Sequence, residues 1–184
     1  CIRDSYYTCV QTYDNAGNPA SAWQCSDGFV VDTTAPANPA ASGIYDQSVS
    51  FSADKDWWNS TTSLSASWDA GTDTSGSGVK NYDVCFSTSN SLCANIAGTT
   101  TQTANTTRTA TATATGMTAG TTYYTCMRTN DNAGNVSAWT CSDGFTIDTA
   151  APTNPTTANI FDLSTTLVDK AWSNSTTALS ASWN

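Results

Sequence analysis

Tyr123-Tyr124-Thr125-Cys126-Met127-Arg128-Thr129-Asn130 is the stretch whose reading decides the fold. Tyr123, Thr125, Met127 and Thr129 share one face, and Tyr124, Cys126 and Arg128 share the other. That period of two is the signature of a β-strand. Asp131-Asn132-Ala133-Gly134-Asn135 follows as a tight turn, in which Gly supplies positive φ and Asp or Asn closes local hydrogen bonds. Ala138 to Ile147 is the return strand. On this count Cys126 and Cys141 stand on the outer face of one hairpin, close enough to bridge across it.

The same hairpin occurs earlier in the chain. Tyr7-Thr8-Cys9, Asp14-Asn15-Ala16-Gly17-Asn18, Trp23, Cys25 and Ser26-Asp27-Gly28-Phe29 return as Tyr124-Thr125-Cys126, Asp131-Asn132-Ala133-Gly134-Asn135, Trp139, Cys141 and Ser142-Asp143-Gly144-Phe145. Asn59-Ser60-Thr61-Thr62 and Leu64-Ser65-Ala66-Ser67-Trp68 return as Asn174-Ser175-Thr176-Thr177 and Leu179-Ser180-Ala181-Ser182-Trp183. The spacing is 117 residues early and 115 late, and repetition at that spacing predicts units in series. Pro36 and Pro152 mark the boundaries. Residues 1–35 then read as the C-terminal part of one β-sandwich repeat, 36–151 as a complete repeat, and 152–184 as the N-terminal part of the next. Half a β-domain leaves unpaired edges and an open core, so the expectation is a window from a longer array, or ends completed by neighbouring molecules.

Within the whole repeat, Leu64, Ala66 and Trp68 alternate along one strand, and Tyr82, Val84 and Phe86 along another, with Asp83 and Cys85 on the opposite face. Thr109 to Thr113 can form a further strand, although its small side chains specify register weakly. Pro36-Ala37-Asn38-Pro39 stiffens the junction between repeats. The chain is poor in strong helix formers and all 15 acidic residues are Asp. Several short strands at regular spacing make an all-β fold of tandem β-sandwich domains.

Met117-Thr118-Ala119-Gly120-Thr121-Thr122-Tyr123-Tyr124 resembles the turn and tyrosine corner of fibronectin type III domains. Trp68 resembles that family's core Trp on its second strand, and Tyr82 its third-strand Tyr. Asp131 to Ser137, followed by Ile147-Asp148-Thr149-Ala150-Ala151-Pro152, is similar to the repeat ending of tandem bacterial immunoglobulin-like and fibronectin type III-like surface proteins. The resemblance implies a serial architecture and says little about function, because such sandwiches host many roles.

Net charge is −9, which argues against nucleic acid and anionic membranes as partners. No apolar run reaches the ~20 residues of a membrane span. Seven cysteines in a Thr/Ser-rich chain read as disulfides in an oxidising, extracellular or cell-surface location: Cys9–Cys25, Cys85–Cys93 and Cys126–Cys141, with the partner of Cys1 upstream. Zinc is disfavoured, since neither His nor a CxxC spacing is present. Without His, no Ser-His-Asp or Cys-His arrangement can form, and the expectation is no enzyme and no cofactor beyond Ca²⁺.

Calcium would draw oxygen ligands at a junction from Asp32 or Asp148 with Asp14 or Asp131; the alternative is that these residues simply make turns. Trp57 is a candidate carbohydrate contact, whereas Trp58 reads as packing. Sequons mark Asn59, Asn105, Asn135 and Asn174 as candidate glycosylation sites, and the Thr-rich run from Thr99 to Thr115 as a candidate for O-linked sugar. The functional expectation is a structural, non-enzymatic segment of an extracellular stalk, adhesin or filament. Its partners are neighbouring repeats of the same protein, including a homopolymer. The alternative is an accessory carbohydrate-binding module of a secreted glycoside-active enzyme.

Overall fold

The computed structural model describes residues 5–51, 53–94, 96, 101–162 and 180–183. The chain divides into two compact units, Cys1–Thr149 and Ala150–Asn184. Residues 5–35 therefore belong to the same unit as the whole repeat, and the division falls just before Pro152. The described residues are all-β, with two single-turn 3-10 segments at Ala41–Gly43 and Thr157–Asn159.

The first unit opens with β1 (Ser5–Tyr6), β2 (Cys9–Val10), β3 (Gln24–Cys25) and β4 (Phe29–Val30). β1 pairs antiparallel with β4, and β2 with β3. There follow β5 (Ile44–Asp46), β6 (Trp57–Trp58), β7 (Ser63–Trp68), β8 (Val79–Ser87), β9 (Thr101–Ala104), β10 (Thr109–Thr113), β11 (Thr122–Asp131), β12 (Thr140–Cys141) and β13 (Phe145–Ile147). One sheet has the order β10-β7-β5; the other has β6-β13-β11-β8-β9, with β12 beside β11. Their inner faces meet as a sandwich. Leu64 and Ala66 pack against Phe86, Tyr123, Phe145 and Ile147. Ile44, Trp68 and Ala110 pack against Tyr82, Val84 and Met127. Trp68 and Tyr82 meet edge to face, with ring centroids 5.7 Å apart. The Tyr123 hydroxyl accepts the Thr118 N–H at 2.9 Å and folds the turn before β11 back onto the strand, as the tyrosine corner requires.

The alternation expected for β8 and β11 holds, but their outer face is not open to water. Asp83, Cys85 and Cys126 are buried. The chain after β8 turns over that face. Ser87 Oγ donates to the Leu92 carbonyl, Cys85 is bonded to Cys93, and Cys126 Sγ lies 3.6 Å from the Ser89 carbonyl. Trp139 and Tyr124 close the same patch. A periodic pattern shows which face a side chain takes, but not what later covers it.

The two cysteine hairpins pair alike. Cys9 faces Cys25 and Cys126 faces Cys141. Tyr6 stacks on Phe29 as Tyr123 meets Phe145. A side chain on Gly28 would strike the Tyr7 ring, and one on Gly144 the Tyr124 ring, and both glycines sit at positive φ. The second unit, taken by itself, pairs β14 (Ile160–Asp162) with β15 (Ala181–Trp183). There Ile160 faces Trp183, as Ile44 faces Trp68 in the first unit. The counterparts of core residues, namely Tyr6, Val10, Phe29, Ile160 and Trp183, are exposed.

Candidate functional site

Turn residues collect where the chain enters the sandwich. Asp131 Oδ1 accepts the Gly134 and Asn135 N–H groups at 2.7 Å each, and Oδ2 accepts Asn135 Nδ2 at 2.8 Å. Asp14 repeats the motif with Ala16 and Asn18. The second hydrogen bond of Asn135 Nδ2 goes to the Asp32 carbonyl, at 3.1 Å. Asp32 Oδ2 accepts the Ser77 N–H at 2.6 Å, and Ser77 Oγ accepts the Ala133 N–H. The end of the first hairpin segment is thus tied to the loop before β8 and to the turn after β11.

This junction brings the carboxylates of Asp32 and Asp131 within 4.8 Å of each other and of Asp73, which sequence reasoning did not single out. Among the described residues, Asp14 and Asp148 join no such group. Oxygen donors of this kind suit a divalent cation. Each of the three carboxylates also accepts an N–H, however: Asp73 from Gly78, Asp32 from Ser77 and Thr34, and Asp131 from its own turn.

A second carboxylate group joins one buried aspartate to two exposed ones, Asp54 and Asp143. Asp46, at the end of β5, is fully buried. Its Oδ1 accepts the N–H and hydroxyl of Thr125 on β11, and its Oδ2 accepts the Gly144 N–H at 3.1 Å. Its own N–H donates to Asp54 Oδ1 at 2.6 Å, and Asp143 completes a trio within 4.8 Å. Burial pushes the Asp46 carboxyl up to about 7, against the pull of hydrogen bonds from Thr125 and Ser142. Burial also raises Asp54. Nothing in the local sequence distinguishes Asp46 from an aspartate in a turn.

The two tryptophans of β6 take opposite roles. The strand runs parallel to β13 at the sheet edge, with Trp57 opposite Thr146 and Trp58 opposite Ile147. Trp58 packs against the core and donates its indole N–H to the Ser63 carbonyl at 3.0 Å. Trp57 turns outward and is 64% exposed. Beside it is an open groove of about 350 Å³, lined by Lys55, Trp57, Trp58, Asn59 and Asp148. The Lys55 ammonium sits 4.5 Å above the Trp58 ring.

The structure contains disulfides Cys9–Cys25, Cys85–Cys93 and Cys126–Cys141. Cys1 lies outside the described residues, as does Asn174. Asn59 and Asn105 are exposed, and Asn105 accepts the Tyr82 hydroxyl. Asn135 differs, because its amide nitrogen donates to the Asp32 carbonyl across the junction and to Asp131 within its own turn. No described helix is long and apolar enough to cross a membrane.

No family model matches the chain. Exoglucanase B of Cellulomonas fimi is 35% identical to it over 153 residues, covering 80% of this chain and 12% of that protein. The chain thus spans a small fraction of the length of the curated relative it matches.

Proposed function

We propose that this chain is a structural, non-enzymatic segment of an extracellular repeat protein, in which fibronectin type III-like sandwiches in series build a stalk, adhesin or filament. The observation that carries this reading is the junction. Main-chain and side-chain atoms of Asp32, at the end of one repeat, are held by Asn135 and Ser77 of the next. Hydrogen bonds at that position restrain bending between successive sandwiches, and disulfides hold the hairpins on either side. The three disulfides suit an oxidising compartment outside the cell. Electron microscopy of the native material tests the reading. Extended strings or ordered fibres of sandwich-sized beads are expected, and compact particles of enzyme size would overturn it.

A second reading is an accessory carbohydrate-binding module attached to a secreted enzyme. Two observations favour it: the match to a segment of a protein named an exoglucanase, and the outward Trp57 ring.

A further inference from the structure

We propose that the groove along Lys55, Trp57, Asn59 and Asp148 is a contact site for a neutral β-linked glucan, with the Trp57 indole as its stacking platform. This assignment rests on the carbohydrate-binding reading and gives that reading a location.

The exposure of Trp57 is the first reason. Its neighbour Trp58 serves the fold through core packing and a hydrogen bond to Ser63. Trp57 does neither of these things, and it is 64% exposed. Yet the repeat keeps the ring: Lys55-Asp56-Trp57-Trp58-Asn59 returns as Lys170-Ala171-Trp172-Ser173-Asn174, so Trp57 recurs as Trp172 whereas Trp58 is replaced by Ser173. A large apolar ring left in water, at a position that both copies of the sequence fill with Trp, has its use in a ligand.

The groove chemistry sets the ligand class. Its volume of about 350 Å³ falls at the small end of the ligand-cleft range, roughly 300–1,000 Å³. Lys55, Asn59 and Asp148 line the groove beside the two tryptophans. Together they offer donors and acceptors to hydroxyl groups, each of which both donates and accepts. One positive and one negative side chain leave the groove without net charge, so neither a polyanion nor a polycation is selected. The chain's net charge of −9 disfavours polyanions further. A sugar ring with its hydroxyls equatorial presents a flat C–H face to the indole and a polar edge to Lys55, Asn59 and Asp148. β-Linked glucose has that form. The groove also lies on β6, the last strand of its sheet order, where an extended chain can approach.

Affinity electrophoresis of the intact chain through gels containing hydroxyethylcellulose tests the site. Retardation of the native protein is expected. Trp57→Ala should weaken it about tenfold or more, the loss of one aromatic platform, and Trp57→Phe should restore part of it. Trp23→Ala, at another exposed tryptophan, should migrate like the native protein. Unchanged melting temperatures would confirm that the variants fold. Retardation that survives Trp57→Ala, or that Trp23→Ala weakens equally, would overturn this site and leave the carbohydrate-binding reading standing. Native protein that is not retarded would overturn both.

Discussion

Asp46 joins the two sheets with one side chain. It leaves β5 and takes hydrogen bonds from Thr125 on the opposite sheet and from Gly144 just before β13. Removing it takes the acceptor from the buried Thr125 hydroxyl and from the Gly144 N–H, while the Thr125 N–H keeps Ser142 Oγ. Asp46→Ala should therefore cost about 1–3 kcal/mol in chemical denaturation, the usual penalty for an unsatisfied buried group. Its titration runs opposite to that of most surface aspartates. Because the folded carboxyl is raised to about 7, the folded state holds a proton that the unfolded chain releases near its ordinary 3.8. Stability from this source is complete below about pH 4 and is lost as pH rises to about 7, by at most ~4 kcal/mol. Melting curves from pH 4 to 8 should show that decline, and Asp46→Ala should flatten it. An equal slope in the variant would assign the dependence elsewhere, with Asp54 next in line.

The hairpin is the element on which the repeat is built. In both copies the residue after the second Cys donates its N–H to the carbonyl of the residue before the first, Ser26 to Thr8 and Ser142 to Thr125. Cys9–Cys25 and Cys126–Cys141 are therefore non-hydrogen-bonded pairs, where facing Cα atoms come closest; both are 4.0 Å apart. The Cys126–Cys141 bond closes a short loop, with a sequence separation of 15, for which restriction of the unfolded chain is worth about 3 kcal/mol. Replacing both cysteines by Ser should lower the melting temperature by about 10 °C in a circular-dichroism melt. A change below about 2 °C would show that the packing of Tyr124, Trp139 and Cys85 holds the hairpin without the bond. Alternation placed these cysteines on the outer face, and the register put them opposite each other. Their burial under the segment after β8 was not legible, because Ser87 to Ala94 carries no pattern that says where it folds.

At the scale of the whole molecule, the junction ties the end of the first hairpin segment to the sandwich through Asp32, Ser77 and Asn135. Hydrogen bonds account for the positions of Asp32, Asp73 and Asp131, so removal of calcium with a chelator should leave the calorimetric melting temperature unchanged. A fall of several degrees would assign the trio to a cation. Repetition, strand alternation, turn chemistry and the pairing of cysteines could all be read from the chain alone. Each is local or recurs, so a period of two or a second copy displays it without a fold. The pairing of Asp32 with Asp131 was foreseen as one option among several, but Asp73 was not. The clasp of Asp46 on Thr125 spans 79 residues, and the hold of Asn135 on Asp32 spans 103. Contacts at such separations leave no periodic trace. Which aspartate is buried, which tryptophan faces water and which asparagine nitrogen is already engaged follow only from how the two sheets close on each other.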